Sequence, residues 1–234
     1  MEHPILIING SPRGEGSNTL LAARALAEGL GGAAPASAIR ELSLRDLTIE
    51  PCRGCFGCWR ATPGHCVIRD DMRTVMDALA EANTVIVSFP VYFFGFPGPL
   101  KTALDRMIPV MHAYDGGETL HRVRESFGEK RFLFISTCGF RVTEGIYDAL
   151  RAQLRAIFGD PAPLLTAIPQ AELMQVEQMR PIVAHRLDLV RRLGEQLAAS
   201  PAPDASLLRE IESSLILPKA YHRLVSMMHG TEGA

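Results

Sequence analysis

The sequence predicts an α/β protein: a doubly wound sheet of five parallel strands with helices on both faces, then a C-terminal helical extension. Three observations carry this. Short unbroken apolar runs recur, such as PILII at 4–8 and TVIVS at 84–88, as a strand buried on both faces requires. Each run leads through a turn-rich loop into a segment of helical apolar period, the alternation of a parallel sheet. At 234 residues the chain suits one sizeable domain with extensions better than two equal domains. The expected division is a sheet domain at 1–170 and a helical extension at 171–234.

The first strand is PILII, and the loop after it reads NGSPRGEGSNTL. Leu20, Ala23, Ala27 and Leu30 then share one helix face, and Gly31-Gly32 ends that helix. A strand, a glycine loop and a helix N-terminus make an anion site, because free N–H groups and the helix dipole point at one place. The loop lacks G-K-[ST], and Gly10, Gly14 and Gly16 miss the G-x-G-x-x-G spacing. Its small donors Ser11, Ser17, Asn18 and Thr19, with Arg13 nearby, suit a terminal phosphate monoester better than a pyrophosphate. The other reading is a helix capped by Ser17 or Ser11 with no ligand.

A second strand is expected at 37–42, before the cysteines. Asp70-Asp71 opens a helix carrying Met72, Val75, Met76 and Leu79 on one face; the acidic pair complements the helix dipole, with direct catalysis as the lesser reading. The third strand, 84–88, feeds FPVYFFGFPGPL, where Phe89, Tyr92, Phe93, Phe94 and Phe96 crowd between prolines and glycines. So apolar a loop either packs on a partner or walls a planar ligand, and it follows a strand's C-terminal end, where open α/β sheets bind ligands. Pro99 to Ile108 is expected helical, with Lys101, Asp105 and Arg106 read as solvated charges or interface contacts. After a long connection at 109–129 come a strand at 130–137 ending in Cys138-Gly139-Phe140, a helix from Glu144 to Phe158, and a strand near 163–168. Helices at 182–199, 204–216 and 219–228 follow, separated by Pro201, Pro203 and Pro218.

Four of the five cysteines lie in one stretch as C-x2-C-x2-C-x7-C: Cys52, Cys55, Cys58 and Cys66. Three thiols two residues apart, with a fourth on a longer arm, match iron–sulfur spacing more than the two separated pairs of structural zinc. Free thiols lining a pocket, or a regulatory disulfide, are the other readings. Gly54, Gly57 and Gly64 suit a backbone wrapped tightly around something.

Apolar residues make up 47% and charged residues 21%, with a net charge of −2 and no basic block, which argues against nucleic acid or anionic membranes as partners. No run of eighteen apolar residues and no leader pattern is visible, so a cytoplasmic protein is expected. In a reducing compartment clustered cysteines are more often metal-binding or catalytic than disulfide-bonded.

Together, GSPRGEGSNTL, CRGCFGCW…CVIRDDM, SFPVYFFGFPGPLKTALDR and the STCGF end of the fourth strand resemble the flavodoxin-like NAD(P)H-dependent FMN reductases, and within them the iron–sulfur flavoproteins, over residues 4–168. The resemblance implies FMN, its phosphate on Ser11, Arg13, Ser17, Asn18 and Thr19. It implies an isoalloxazine against Pro90, Val91, Tyr92, Phe93 and Gly95, bordered by Thr137, Cys138 and Gly139. For the cysteines it implies a 4Fe–4S cluster on Cys52, Cys55, Cys58 and Cys66. Two functions follow: an oxidoreductase moving electrons from NAD(P)H to a quinone, flavin or other small acceptor, or an electron carrier between protein redox partners. A homodimer or homotetramer is expected because Leu207, Leu208, Ile211, Leu215, Ile216 and Leu217 offer more apolar surface than one sheet can cover.

Overall fold

The computed structural model describes residues 5–32, 39–112, 124 and 127–229. Most of the expected connection at 109–129 therefore lies outside the described residues. Five strands form one parallel sheet in the order β2-β1-β3-β4-β5: β1 (Ile5–Asn9), β2 (Ile39–Ser43), β3 (Thr84–Pro90), β4 (Arg131–Thr137) and β5 (Leu164–Ile168). This is the flavodoxin-like doubly wound arrangement, in which the strand order reverses at β1/β3.

The unbroken apolar strands are explained by two cores. Ile5 and Ile7 of β1 face α1 (Asn18–Gly31), α6 (Arg180–Ala199) and α7 (Ala205–Glu212). Leu6 and Ile8 face the other layer: α3 (Met72–Glu81), α4 (Gly98–Asp105) and α5 (Asp148–Phe158). Each such side chain contributes about 1.5–3 kcal/mol relative to exposure. The short α2 (Gly57–Arg60) lies in the cysteine loop, and α8 (Pro218–His229) ends the described chain.

Helix α6 packs closely along α1, so part of the segment after residue 170 belongs to the sheet's own core. The helices approach backbone to backbone at two glycines. A Cβ on Gly29 would lie 1.9 Å from Arg191 O, and one on Gly194 would lie 2.3 Å from Leu26 O. Only glycine permits that crossing.

Three expected helix boundaries move by three residues or more. Helix α4 stops at Asp105 because the Arg106 amide turns back to Thr102 O and Ala103 O. Helix α5 begins at Asp148 rather than Glu144, and α7 ends at Glu212 rather than 216. The apolar tail also finds cover inside the chain: Leu207 and Ile211 join the α1/α6 core, and Leu215 packs in a third cluster with Leu173, Val183 and Tyr221. Of that tail, Leu217 stays open to water at 78% exposure. No helix among the described residues is long and apolar enough to cross a membrane.

Candidate functional site

The loop after β1 is held by a residue that sequence reasoning passed over. Asn9, fully buried, donates from Nδ2 to Gly14 O (3.1 Å), and its Oδ1 accepts the Ser11 amide (3.0 Å). Gly14 sits at φ +56°, a left-handed turn that other residues resist. A Cβ on Gly10 would lie 2.9 Å from Leu100 Cβ, so α4 presses directly on the loop. Ser17 caps α1, its Oγ accepting the Leu20 amide at 3.2 Å. The next helical amides, at Asn18 and Thr19, lack intrahelical acceptors as every first turn does, and the dipole adds positive potential there.

Across from this loop lie the ends of β3 and β4. Val91 N donates to Thr137 O (2.9 Å), Cys138 N to Ile168 O (3.0 Å), and Thr19 Oγ1 meets Thr137 Oγ1 at 2.6 Å. The result is one cleft of about 150 Å³. It is lined by Ser11, Arg13, Ser17, Asn18 and Thr19 from the loop, by Pro90, Val91 and Tyr92 after β3, and by Thr137, Cys138 and Gly139 after β4. Phe93 and Gly95 stand outside that lining, in a tight hairpin where the Tyr92 and Gly95 amides donate to each other's carbonyls. Phe93 and Phe94 both take positive φ, 49° and 61°, and Phe93 is fully exposed while Phe94 leans on Phe140. Two aromatic residues held in so rare a conformation are the kind of local strain that collects at functional sites.

Ala171 and Glu172 also line the cleft, and neither was foreseen. Asn18 donates from Nδ2 to Ala171 O (2.6 Å) and accepts from Gln175 Nε2. Its side chain therefore ties the loop to the segment after β5. The Tyr221 hydroxyl of α8 lies between Gly139 O and Glu172 Oε2, 2.6 Å from the latter. Burial, reinforced by Glu172, pushes the Tyr221 phenol well up, and burial likewise keeps Cys138 a neutral thiol. These partners lie 82 and 49 residues from Tyr221, beyond the reach of local pattern.

The four clustered cysteines line a second, smaller cavity of about 20 Å³, with Arg53, Phe56, Ile68, Asp105, Arg106, Ile108 and Pro109. Among the described residues, no three His, Cys, Asp or Glu side chains gather tightly enough for a single metal ion. Side-chain and backbone contacts hold the loop's path. Trp59 stacks on Phe56 at 5.2 Å and donates to Met111 O (3.1 Å), while Gly64 N reaches Cys58 O (3.0 Å). Phe56 turns at φ 52°, and a Cβ on Gly57 would meet Val67 Cγ1 at 2.6 Å. Cys58 is buried, and burial with the neighbouring Cys66 raises its pKa.

Beneath this loop the structure corrects one expectation and extends another. Arg106 is neither solvated nor an interface residue: its side chain is 1% exposed and grips Asp70 through Nη1 (2.8 Å) and Nη2 (2.9 Å), with Nη1 also on Glu50 O (2.6 Å). Asp70 does serve the start of α3, accepting the Met72 amide at 3.2 Å, but its main partner is Arg106. Burial alone would raise the Asp70 carboxyl; Arg106 and the Glu50 and Met72 amides hold it below the usual range. A cavity of about 900 Å³ opens beside the pair and is walled by Cys66, Arg69, Arg73, Arg124 and Phe127, away from the strand-end cleft.

The NADPH-dependent FMN reductase family model matches residues 4–172. An iron–sulfur flavoprotein of Methanocaldococcus jannaschii is 37% identical over 113 residues, covering 45% of this chain and 52% of that one. One from Archaeoglobus fulgidus is 32% identical over 102 residues, covering 44% and 47%. The chain thus spans about half the length of the curated relatives it matches. An NAD(P)H:quinone oxidoreductase from Methanothermobacter marburgensis shares the fold with TM-score 0.61 and 16% identity, covering 83% of this chain and 98% of that one. An FMN-dependent NADH-azoreductase from Bacillus anthracis, solved with FMN, does so with TM-score 0.57 and 16% identity over 84% and 99%. With nearly three quarters of its length matched to the family model, and with the loop, hairpin and strand ends meeting in one cleft, the chain belongs to the NADPH-dependent FMN reductase family.

Proposed function

We propose that the protein is an FMN-dependent oxidoreductase that takes electrons from NAD(P)H and delivers them to a quinone, a flavin or another small acceptor. The observation that carries this is one cleft, at the switch point of the sheet, lined both by the loop and N-terminus of α1 and by Pro90, Val91 and Tyr92 at the base of the hairpin. Family membership supports the choice of cofactor. Ser11, Arg13, Ser17, Thr19 and the Asn18 amide hold the phosphate. Pro90, Val91, Tyr92, Phe93 and Gly95 border the ring on one side, and Thr137, Cys138 and Gly139 on the other. FMN, when bound, supplies hydride acceptance and single-electron delivery. The chain's part is to orient that ring, to keep Cys138 neutral beside it, and to close the cleft with Glu172 and Tyr221.

The cysteine cavity favours a second element within this reading, a 4Fe–4S cluster on Cys52, Cys55, Cys58 and Cys66. The donor set is four thiols around one cavity, two of whose other lining residues, Arg53 and Arg106, carry a positive charge. The relatives named iron–sulfur flavoproteins support it. It also keeps the alternative in play, an electron carrier between protein redox partners. A homodimer or homotetramer is part of the proposal, motivated by Phe93, Leu217 and Met227, all open to water.

The test is a steady-state assay on anaerobically purified protein with its flavin, iron and sulfide counted. Rapid NAD(P)H oxidation with a quinone or free flavin is the expected result. Reduction only by a protein donor would replace the enzyme with the carrier, and iron-free protein with a full complement of FMN would remove the cluster. A monomeric mass by light scattering at micromolar concentration would remove the oligomer.

A further inference from the structure

Among the described residues three buried side-chain polar atoms lack a hydrogen-bond partner: Ser43 Oγ, Ser88 Oγ and Arg106 Nε. Only the last belongs to a charged group. Both terminal nitrogens of Arg106 are engaged, by Asp70 and by Glu50 O. The Nε–H is left over, and a buried donor on a cation is costly to leave unmade. Arg106 lines the cavity that holds all four cysteines. With Cys66, Ile68 and Pro109 it also lines the large neighbouring cavity, so Arg106 and Cys66 share the partition between the two.

We propose that Arg106 is a positioning residue for the cluster: its partnerless Nε–H donates to the Cys66 sulfur when that thiolate is a metal ligand, fixing the long arm of the loop and raising the cluster's reduction potential. This rests on the reading of the four cysteines given above. Three features support it. Asp70 holds the guanidinium plane in place from below, so the Nε–H has a set direction rather than a mobile one. Cys66 is the ligand at the end of the seven-residue spacer, the one whose position the short C-x2-C-x2-C run does least to fix. An N–H donated to a ligand sulfur stabilises the more negative, reduced state, and such bonds and local charge are what tune these potentials.

The experiment compares wild type, Arg106→Lys and Asp70→Asn, each purified anaerobically with iron and sulfide counted and the cluster potential measured by dye-mediated titration under EPR. Lysine keeps a positive charge on Asp70 but has no Nε–H at that place. The expected shift is downward by a factor of about ten in the one-electron equilibrium, or about 59 mV, with the FMN potential unmoved. Asp70→Asn leaves the Nε–H and removes the charge that offsets the guanidinium, so its expected shift is upward. A merely structural role would loosen the loop in both variants and would not give opposite signs. If Arg106→Lys fails to fold, Arg106→Gln against Arg106→Met decides, since both are uncharged and only glutamine keeps an N–H near the Nε place: a higher potential in Arg106→Gln supports the assignment, and equal potentials overturn it. A loaded Arg106→Lys protein with an unmoved potential overturns the role of Arg106 alone. Iron-free wild type overturns the cluster, and this assignment with it.

Discussion

In the strand-end cleft, main chain does most of the work: amides of residues 10, 91 and 138 bond to carbonyls of neighbouring strands, and a helix terminus supplies the potential. In the cysteine loop, regular structure is limited to one turn of helix, and side chains hold the path, with Trp59 above and the Arg106–Asp70 pair beneath. The first site inherits its geometry from the sheet. The second rests on a few long-range contacts, those of Trp59 with Ile108 and Met111 and, just before the loop, those of the Arg106–Asp70 pair with Glu50.

Breaking that pair is therefore the sharpest way to test the contrast. Arg106→Ala leaves Asp70 buried without its cation, and such losses cost about 3–5 kcal/mol. Urea unfolding of iron-free protein should show a fall of that size. A cost under about 1 kcal/mol would mean that the loop is not propped as described.

The counterpart for the cleft lies in the helix that carries it. Gly29→Ala places a Cβ against the Arg191 carbonyl and forces α1 away from α6, an overpacking expected to cost about 1–3 kcal/mol. FMN affinity should fall with it, because α1 also presents the proposed phosphate site. A melting temperature and FMN affinity equal to wild type would show that the crossing can relax without cost.

Side-chain loss within the cleft should be milder for the fold. Ser17→Ala with Asn18→Ala removes an N-cap and the tie to Ala171, while the backbone amides stay. Hydrogen bonds to charged acceptors are worth about 1.5–3 kcal/mol each, so FMN should bind at least about tenfold more weakly. Unchanged affinity by titration would leave the loop a capped turn.

The smallest expected difference is in the response to acid. The folded Asp70 carboxyl lies below its unfolded value of about 3.9, so its contribution is complete above that pH and is lost as pH falls through the folded value. Asp70→Asn should be less stable at neutral pH yet lose less between neutral pH and pH 3 than wild type does. Parallel acid-unfolding curves would remove the pair from the pH response.

What could be read in the chain was local. Unbroken runs such as Ile5 to Ile8 announce strands because a sheet covered on both faces must be apolar at every position. The small donors at 11–19 and the aromatic run at 92–96 declare themselves by composition, and the cysteines by spacing. Thus the fold class was legible, and the small donors of the loop with it; Pro90, Val91, Thr137, Cys138 and Gly139, which also line the cleft, were named by the family resemblance. The rest was decided by tertiary contact. Burial of Arg106 depends on an acid 36 residues away, Asn18 is tied to a carbonyl 153 residues on, and Tyr221 reaches back 82 residues to Gly139. Gly29 and Gly194 matter only because two helices cross there. Periodicity says which face of an element is apolar; it does not say which neighbour will cover it. The partner of a charge is therefore found only when the chain has closed around it.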